Sequence, residues 1–493
     1  VTVPAVALSA AAVTDLPPAV AAPGYDRSRV TTGIVHLGVG GFHRAHQAVY
    51  VDRLLRRGLA SDWGICGVGV LPGDVRMRDA LTAQDHLYTV VVKHADGRLE
   101  PQVVGSIVDY LLAPDDPEAV VERMAHSSTR IVSLTVTEGG YHVHRVTGRL
   151  DADDPGLRAD LAPRAVPRTA FGLVVEALAR RRARGLAPFT VMSCDNVRGN
   201  GDVARRMMSA FAALRDPELG DWVATAVAFP DSMVDRITPV TTDDDRAQLA
   251  ARFGVADRWP VVCEPFLQWV LEDRFPLGRP PLEAAGVQLV EDVGPYELMK
   301  LRLLNASHQA MAYLGYLAGY RYAHEVAADP VFARFLRGYM DDEATPTLPP
   351  VPGVDLDGYK ATLLDRFANP EIRDTLARLC ADSSDRIPTW LVPVVTARLA
   401  AGGAVDRAAL VIAAWARYAE GVDEQGRPIE VVDRLRDRVT AAAARQAADP
   451  LAFLRDRDLF GDLVDDPRFT RSYLRALDSL HTGGALAAVA ERA

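Results

Sequence analysis

The chain has 493 residues, 49% hydrophobic and 24% charged, with a formal net charge of -10. That length is more than one core absorbs and predicts two domains, and acidic residues spread through the whole chain exclude nucleic acid as a partner, which would want a basic face. Its four cysteines, Cys66, Cys194, Cys263 and Cys380, include no CxxC metal or redox pair, and no apolar run is long enough to span a bilayer, so the expected protein is cytoplasmic, with reduced thiols and no membrane partner.

Residues 1–20, VTVPAVALSAAAVTDLPPAV, lack a basic leader and are broken by prolines; they read as an N-terminal arm rather than a signal peptide. Short β-branched runs then alternate with helical patterns: GIVHLGVG (33–40), WGICGVGV (63–70), RIVSLTVTEGG (130–140) and APFTVMSCDN (187–196). Near-continuous apolar runs of this kind suit a parallel sheet covered on both faces. The first run leads into Gly38, Gly40, Gly41 and Phe42, then an amphipathic helix to Leu55. Glycines there let the backbone turn tightly and approach a pyrophosphate, and a helix N-terminus adds free N–H groups. The pattern is GxGxxH, with His43 where a third glycine usually stands.

The second run should end beside an adenosine ribose. Asp74 is the acid placed to accept the ribose hydroxyls and repel a 2′-phosphate, although Arg76 and Arg78 could attract one, and an exposed loop aspartate is the plainer alternative. TAVAFPDSMVDRITP (225–239) ends in a turn rich in polar groups.

After about residue 290 helix-length patterns take over, at 296–319, 329–341, 358–379, 388–402, 405–420 and 430–447, with a proline-rich connector at 345–353 and a loop at 421–430. The first of these, PYELMKLRLLNASHQAMAYLGYLAGY (295–320), is largely apolar yet carries Glu297, Lys300, Asn305 and His308. On an ideal helix the glutamate, lysine and histidine fall within an arc of about 80°, with Asn305 about 60° beyond His308. Such groups are costly on an apolar helix unless paired or in use. A lysine in a desolvated pocket holds its proton less tightly, which suits acid–base work near neutral pH; a buried ion pair beside a satisfied histidine is the structural alternative.

Together GVGGFHRAH (38–46), TEGGY (137–141), SCDNxxxNG (193–201), FPxxMVDRITP (229–239), CEPFxQWVLED (263–273) and Lys300-x4-Asn305-x2-His308 resemble the polyol-specific long-chain dehydrogenase/reductase family, over about residues 30–480. The resemblance implies a metal-independent oxidoreductase that interconverts a polyol and its ketose with NAD, NADP being the weaker alternative. It implies that Lys300 is the general acid/base, that Asn196 and Asn305 form an oxyanion hole, and that Glu297 links the lysine to solvent. His308, Asp235, Arg378 and Arg386 would contact substrate; Gly38, Gly40, Gly41, Phe42 and Asp74 would hold the cofactor. Read without the resemblance, Asn196 is a turn asparagine, Asp235–Arg236 a local salt bridge and Arg378 a helix-surface arginine.

Two positions depart from the family pattern. Gly73 stands where these enzymes often place a second acid beside Asp74, which loosens the expected preference for NAD. Arg386 replaces a lysine near the polyol, with the same charge but a different donor geometry. The expected reaction is oxidation at C2, D-mannitol to D-fructose and the reverse. Fructuronate or tagaturonate reduction, D-arabinitol or D-sorbitol oxidation, and a non-enzymatic NAD(H) sensor are the alternatives, and the expected state is a monomer. The predicted architecture is α/β: a Rossmann-type NAD(P)-binding domain with the arm over 1–289, and a mostly α-helical substrate-binding and catalytic domain over 290–493.

Overall fold

A computed structural model describes residues 5–144, 147–162 and 164–493; the first four residues of the arm lie outside the described residues. The chain divides into two compact units, Val1–Val293 and Gly294–Ala493.

In the first unit, five strands among the described residues form a parallel sheet: β1 (Thr32–Leu37), β2 (Gly64–Gly69), β3 (Ile107–Leu112), β4 (Ile131–Leu134) and β5 (Thr190–Ser193). Their spatial order is β3-β2-β1-β4-β5. Successive residues alternate between two cores. Val35, Cys66, Val132 and Val191 pack with Val120, Met124, Leu173 and Phe211 from helices on one face. Ile34, Ile65, Ile131 and Met192 pack with Val51, Leu54 and Trp269 on the other. That double covering explains the unbroken apolar runs. The predicted runs omit β3, an edge strand whose Asp109 and Tyr110 interrupt its apolar pattern.

In a doubly wound sheet of this order, the strand order reverses beside β1, so the crevice past the carboxyl ends of β1 and β4 is the expected ligand position. The arm is tied in: Val6 and Ala7 pair in parallel with Val255 and Ala256, and Leu8 and Val20 share a small core with Val91, Val103 and Val262. The segment 225–239, expected to end in a polar turn, carries a strand before its irregular end, Ser232–Asp235, antiparallel to Gln268–Glu272. All four cysteines are buried and unpaired.

The second unit is helical, with several departures from the predicted segments. The predicted helix 358–379 splits into Leu356–Phe367 and Leu376–Cys380, because Asn369-Pro370 cannot continue a helix and Arg373 takes a left-handed φ of 50°. The predicted helix at 388 begins earlier, at Ser383, and breaks after Trp390 ahead of Val392–Ala400. Of the segment 430–447 only Arg436–Ala443 is α-helical. Residues 467–490, absent from the predicted segments, form two helices joined at a kink at Gly484, where φ is 78° and ψ 173°.

Candidate functional site

The glycine turn closes the crevice from below. Gly38 has φ +94°, and a Cβ there would collide with the Thr135 carbonyl, so only glycine suits this crossing of the β1 and β4 chain ends. The Thr135 hydroxyl donates to the Gly38 carbonyl at 2.6 Å, stitching the two loops. Gly40 is bare by contrast: a Cβ there would meet nothing nearer than the Gly38 carbonyl at 4.0 Å. Open backbone at this position fits the close approach of a dinucleotide pyrophosphate.

The helix expected to run from the turn to Leu55 is broken at His46 (φ −121°, ψ −94°) into Gly41–Ala45 and Gln47–Arg56. Phe42 stacks on His46 with centroids 4.8 Å apart. His43 turns inward and stacks on His36 at 3.4 Å and 11°. The His36 ring nitrogens lie 2.8 Å from Ser133 Oγ and 2.9 Å from Thr135 Oγ1. Burial drives the His36 imidazole down to about 3, so it stays neutral.

Asp74 follows the carboxyl end of β2. Its Oδ2 accepts the N–H groups of Val70 and Leu71 at 2.8 and 2.9 Å, which holds the carboxylate at the strand end. Gly73 beside it is exposed, with nothing within 4 Å of an added Cβ.

Asn196 is exposed on the loop after β5. Its neighbour Asp195, to which the sequence reading gave no role, is buried and accepts from Val136 N–H at 3.1 Å, Thr137 N–H at 2.8 Å and the Tyr141 hydroxyl at 2.8 Å. Burial pushes its carboxyl up, while those donors pull it back. Asn200, likewise passed over, donates Nδ2 to the carbonyls of Asp195 and Ser232 and accepts from Ser232 N–H. Both lie inside SCDNxxxNG, and a buried aspartate and a second asparagine in one short loop were the available signal. The Asn200 bonds tie the end of β5 to the strand that delivers Asp235, which is buried. The Arg236 guanidinium donates to the Ala45 and Glu264 carbonyls.

In the second unit, Glu297, Lys300, Asn305 and His308 lie on one continuous helical stretch, with Lys300 and Asn305 buried. It is not an ideal α-helix. Gly294–Met299 is α, Lys300–Asn305 is a π-helix, and Ala306–Leu317 is α again. The angles expected from an ideal helix are therefore wrong across 300–305. A π turn closes i→i+5 and rotates less per residue, so Asn305 comes nearer in azimuth to Lys300 than the about 140° of an α-helix.

The His308 ring packs on Phe367 at 4.6 Å. The adjacent Gln309 donates to the Leu379 carbonyl at 3.1 Å, and Arg386 Nη1 donates to the Arg378 and Leu379 carbonyls at 3.2 and 3.0 Å. The Leu379 carbonyl thus accepts from both Gln309 and Arg386. Arg378 itself is exposed and forms a two-pronged ion pair with Asp374. Among the described residues no group of three or more His, Cys, Asp or Glu side chains could hold a metal ion, and no helix is long and apolar enough to cross a membrane.

Comparison with known proteins places these features in a family. Residues 32–284 match the "Mannitol dehydrogenase Rossmann domain" and residues 292–481 the "Mannitol dehydrogenase C-terminal domain". The chain is 51% identical over 478 residues to a mannitol 2-dehydrogenase of Phaeosphaeria nodorum, covering 96% of this chain and 84% of that protein. Among solved structures it is similar to the Pseudomonas fluorescens mannitol 2-dehydrogenase ternary complex with NAD and D-mannitol, at a TM-score of 0.90, 46% identity and 99% coverage of both chains. It is also similar to a substrate-free D-sorbitol dehydrogenase, at a TM-score of 0.91, 37% identity and coverage of 98% and 100%.

Proposed function

The chain belongs to the mannitol dehydrogenase family, and we propose that it interconverts D-mannitol and D-fructose with NAD, the first unit binding the dinucleotide and the second carrying substrate-binding and catalytic groups. The observation that carries the reading is Lys300, a buried amine on a π-helical turn that also carries Asn305. π-helical turns are rare and recur at functional sites.

The proposed roles are those that the family resemblance implies. When bound, NAD supplies the carbon that accepts the C2 hydride; Gly38, Gly40, Gly41 and Phe42 would cradle its pyrophosphate and Asp74 its ribose. Lys300 takes the C2 hydroxyl proton in the oxidative direction and returns it in the reductive one. Asn196 and Asn305 donate to the reacting oxygen as alkoxide character develops. Glu297 passes the proton from Lys300 to solvent. His308, Asp235, Arg378 and Arg386 bind the remaining hydroxyls.

Arg386 is the position that distinguishes a polyol from a hexuronate. Nη1 of Arg386 is committed to the Arg378 and Leu379 carbonyls, so its contact with substrate falls to Nε and Nη2. The likeness to mannitol 2-dehydrogenases favours the neutral polyol. The deciding experiment is a panel of polyols, ketoses and hexuronates with NAD and NADP, followed by the absorbance of the reduced cofactor. The highest kcat/KM is expected for D-mannitol and D-fructose with NAD. A higher value for fructuronate, tagaturonate, D-sorbitol or D-arabinitol would replace the substrate, and no turnover in any pair would remove the proposal. Size-exclusion chromatography with light scattering tests the expected monomer.

A further inference from the structure

Asp195 performs no acid–base step in this scheme, yet its carboxylate accepts three hydrogen bonds at the carboxyl end of the sheet. Its two oxygens hold three donors from the loop after β4: Oδ1 takes Thr137 N–H at 2.8 Å, and Oδ2 takes Val136 N–H at 3.1 Å and the Tyr141 hydroxyl at 2.8 Å. The Tyr141 hydroxyl also lies 2.5 Å from Ser193 Oγ at the end of β5. The backbone these bonds hold is unusual. Thr137 has φ 63° and ψ 170°, a combination that an L-residue with a branched side chain avoids and glycine tolerates. Such a conformation persists only where its surroundings over-determine it, and here the surroundings are the Asp195 carboxylate.

We propose that Asp195 is a positioning residue that clamps the strained loop 136–141 against the loop carrying Asn196, setting the place from which Asn196 acts. It reaches no reacting atom. With its side chain locked on one loop and its main chain fixed by the Asn200 amide at 3.0 Å, the residue that follows it starts from a defined point. The two loops leave adjacent strands, β4 and β5, so the clamp joins neighbouring parts of the crevice rim. The catalytic consequence rests on the role proposed above for Asn196; the clamp itself does not.

The test pairs kinetics with amide exchange. Asp195→Asn keeps the size but offers one acceptor oxygen where the carboxylate offers two. Exchange of the Val136 and Thr137 amides should quicken roughly tenfold or more. The kcat for the polyol should fall roughly tenfold or more while its KM moves far less, as a small misplacement of a reacting group does. Adding Thr137→Gly to Asp195→Asn should recover much of the lost kcat, because glycine adopts that backbone conformation without being held in it.

Unchanged exchange, a kcat within about twofold of wild type, or a double variant no better than Asp195→Asn each overturns the inference. If Asp195→Asn does not fold, Tyr141→Phe removes a single donor and is read by the same exchange, with unchanged rates again overturning it. A wild-type protein inactive on every polyol would remove the proposed function, and the positioning of Asn196 with it, while exchange would still decide the clamp.

Discussion

Tyr339 donates its phenolic proton to the main-chain carbonyl of Arg302 across 3.2 Å. Both residues lie in π-helices, Lys300–Asn305 and Tyr339–Ala344, and Tyr339 is fully buried. A π turn departs from the i→i−4 ladder, so an outside donor to one of its carbonyls helps to hold it. Arg302 reinforces the contact from the other side, its guanidinium donating to the Thr347 carbonyl. Tyr339→Phe should cost about 0.5–1.5 kcal/mol of stability in chemical denaturation. It should lower kcat by a larger factor than it weakens NAD binding. Equal and small effects on both would mean that the π turn at Lys300 holds its shape unaided.

Lys300→Ala should lower turnover by roughly a hundredfold or more, the scale of losing a general acid/base, with NAD affinity nearly unchanged. Asn196→Ala and Asn305→Ala should each cost roughly a hundredfold in kcat if both donate to the alkoxide. Steady-state kinetics beside a cofactor titration make the comparison; a rise in KM alone would assign the asparagines to substrate positioning.

Gly38→Ala and Gly40→Ala should differ. At Gly38 a methyl group meets the Thr135 carbonyl at a left-handed φ, so the variant should lose thermal stability before any cofactor is added. At Gly40 the space is open, so the apoprotein should melt as the wild type does while NAD binding weakens. Melting curves with and without NAD separate the two; equal NAD affinity in Gly40→Ala would put the pyrophosphate elsewhere.

Cofactor preference should move with charge at the end of β2. Gly73→Glu introduces a second carboxylate at an open, exposed position and should sharpen the preference for NAD, while Asp74→Ala should shift it toward NADP. Each tenfold of preference is only about 1.4 kcal/mol, within reach of one carboxylate repelling a 2′-phosphate in a partly solvated site. The ratio of kcat/KM for the two cofactors is the readout. A ratio unmoved by both changes would mean that Asp74 does not face the ribose.

Stability should depend on pH through two buried groups that pull in opposite directions. The Glu343 carboxylate accepts the N–H groups of Arg407 and Ala408 at 2.7 and 2.8 Å, at the start of helix Asp406–Tyr418. Burial nonetheless pushes its pKa from 4.5 up to about 7. The folded state thus holds the extra proton, and its contribution is full below pH 4.5 and lost as pH rises toward about 7. His36 is depressed from 6.5 to about 3, so its contribution is full above pH 6.5 and lost as pH falls toward 3. Glu343→Gln cannot ionise, and its amide oxygen still accepts. It should leave the melting temperature near wild type at about pH 4.5 and raise it at about pH 8. A constant offset between the two proteins across that range would mean that Glu343 titrates normally.

The sequence by itself determined the α/β class of the first unit, the glycine turn and the helix that carries Glu297, Lys300, Asn305 and His308. Those are local signals: a period of hydrophobicity, a glycine at a backbone crossing, and polar groups stranded on an apolar face. Tertiary structure decided what depends on partners distant in sequence. The edge strand β3 exists because β2 offers it a ladder, despite Asp109 and Tyr110. The π turn at Lys300–Asn305 leaves no mark in composition, since the same residues would form an ordinary α-helix and the choice rests on packing such as the hydrogen bond from Tyr339. The break at His46 and the helix split near Pro370 likewise changed the predicted segments. Asp195 is the sharpest case: in sequence it is one aspartate before an asparagine, and only the folding of β4 beside β5 sets its carboxylate against the N–H groups of Val136 and Thr137, some sixty positions earlier in the chain.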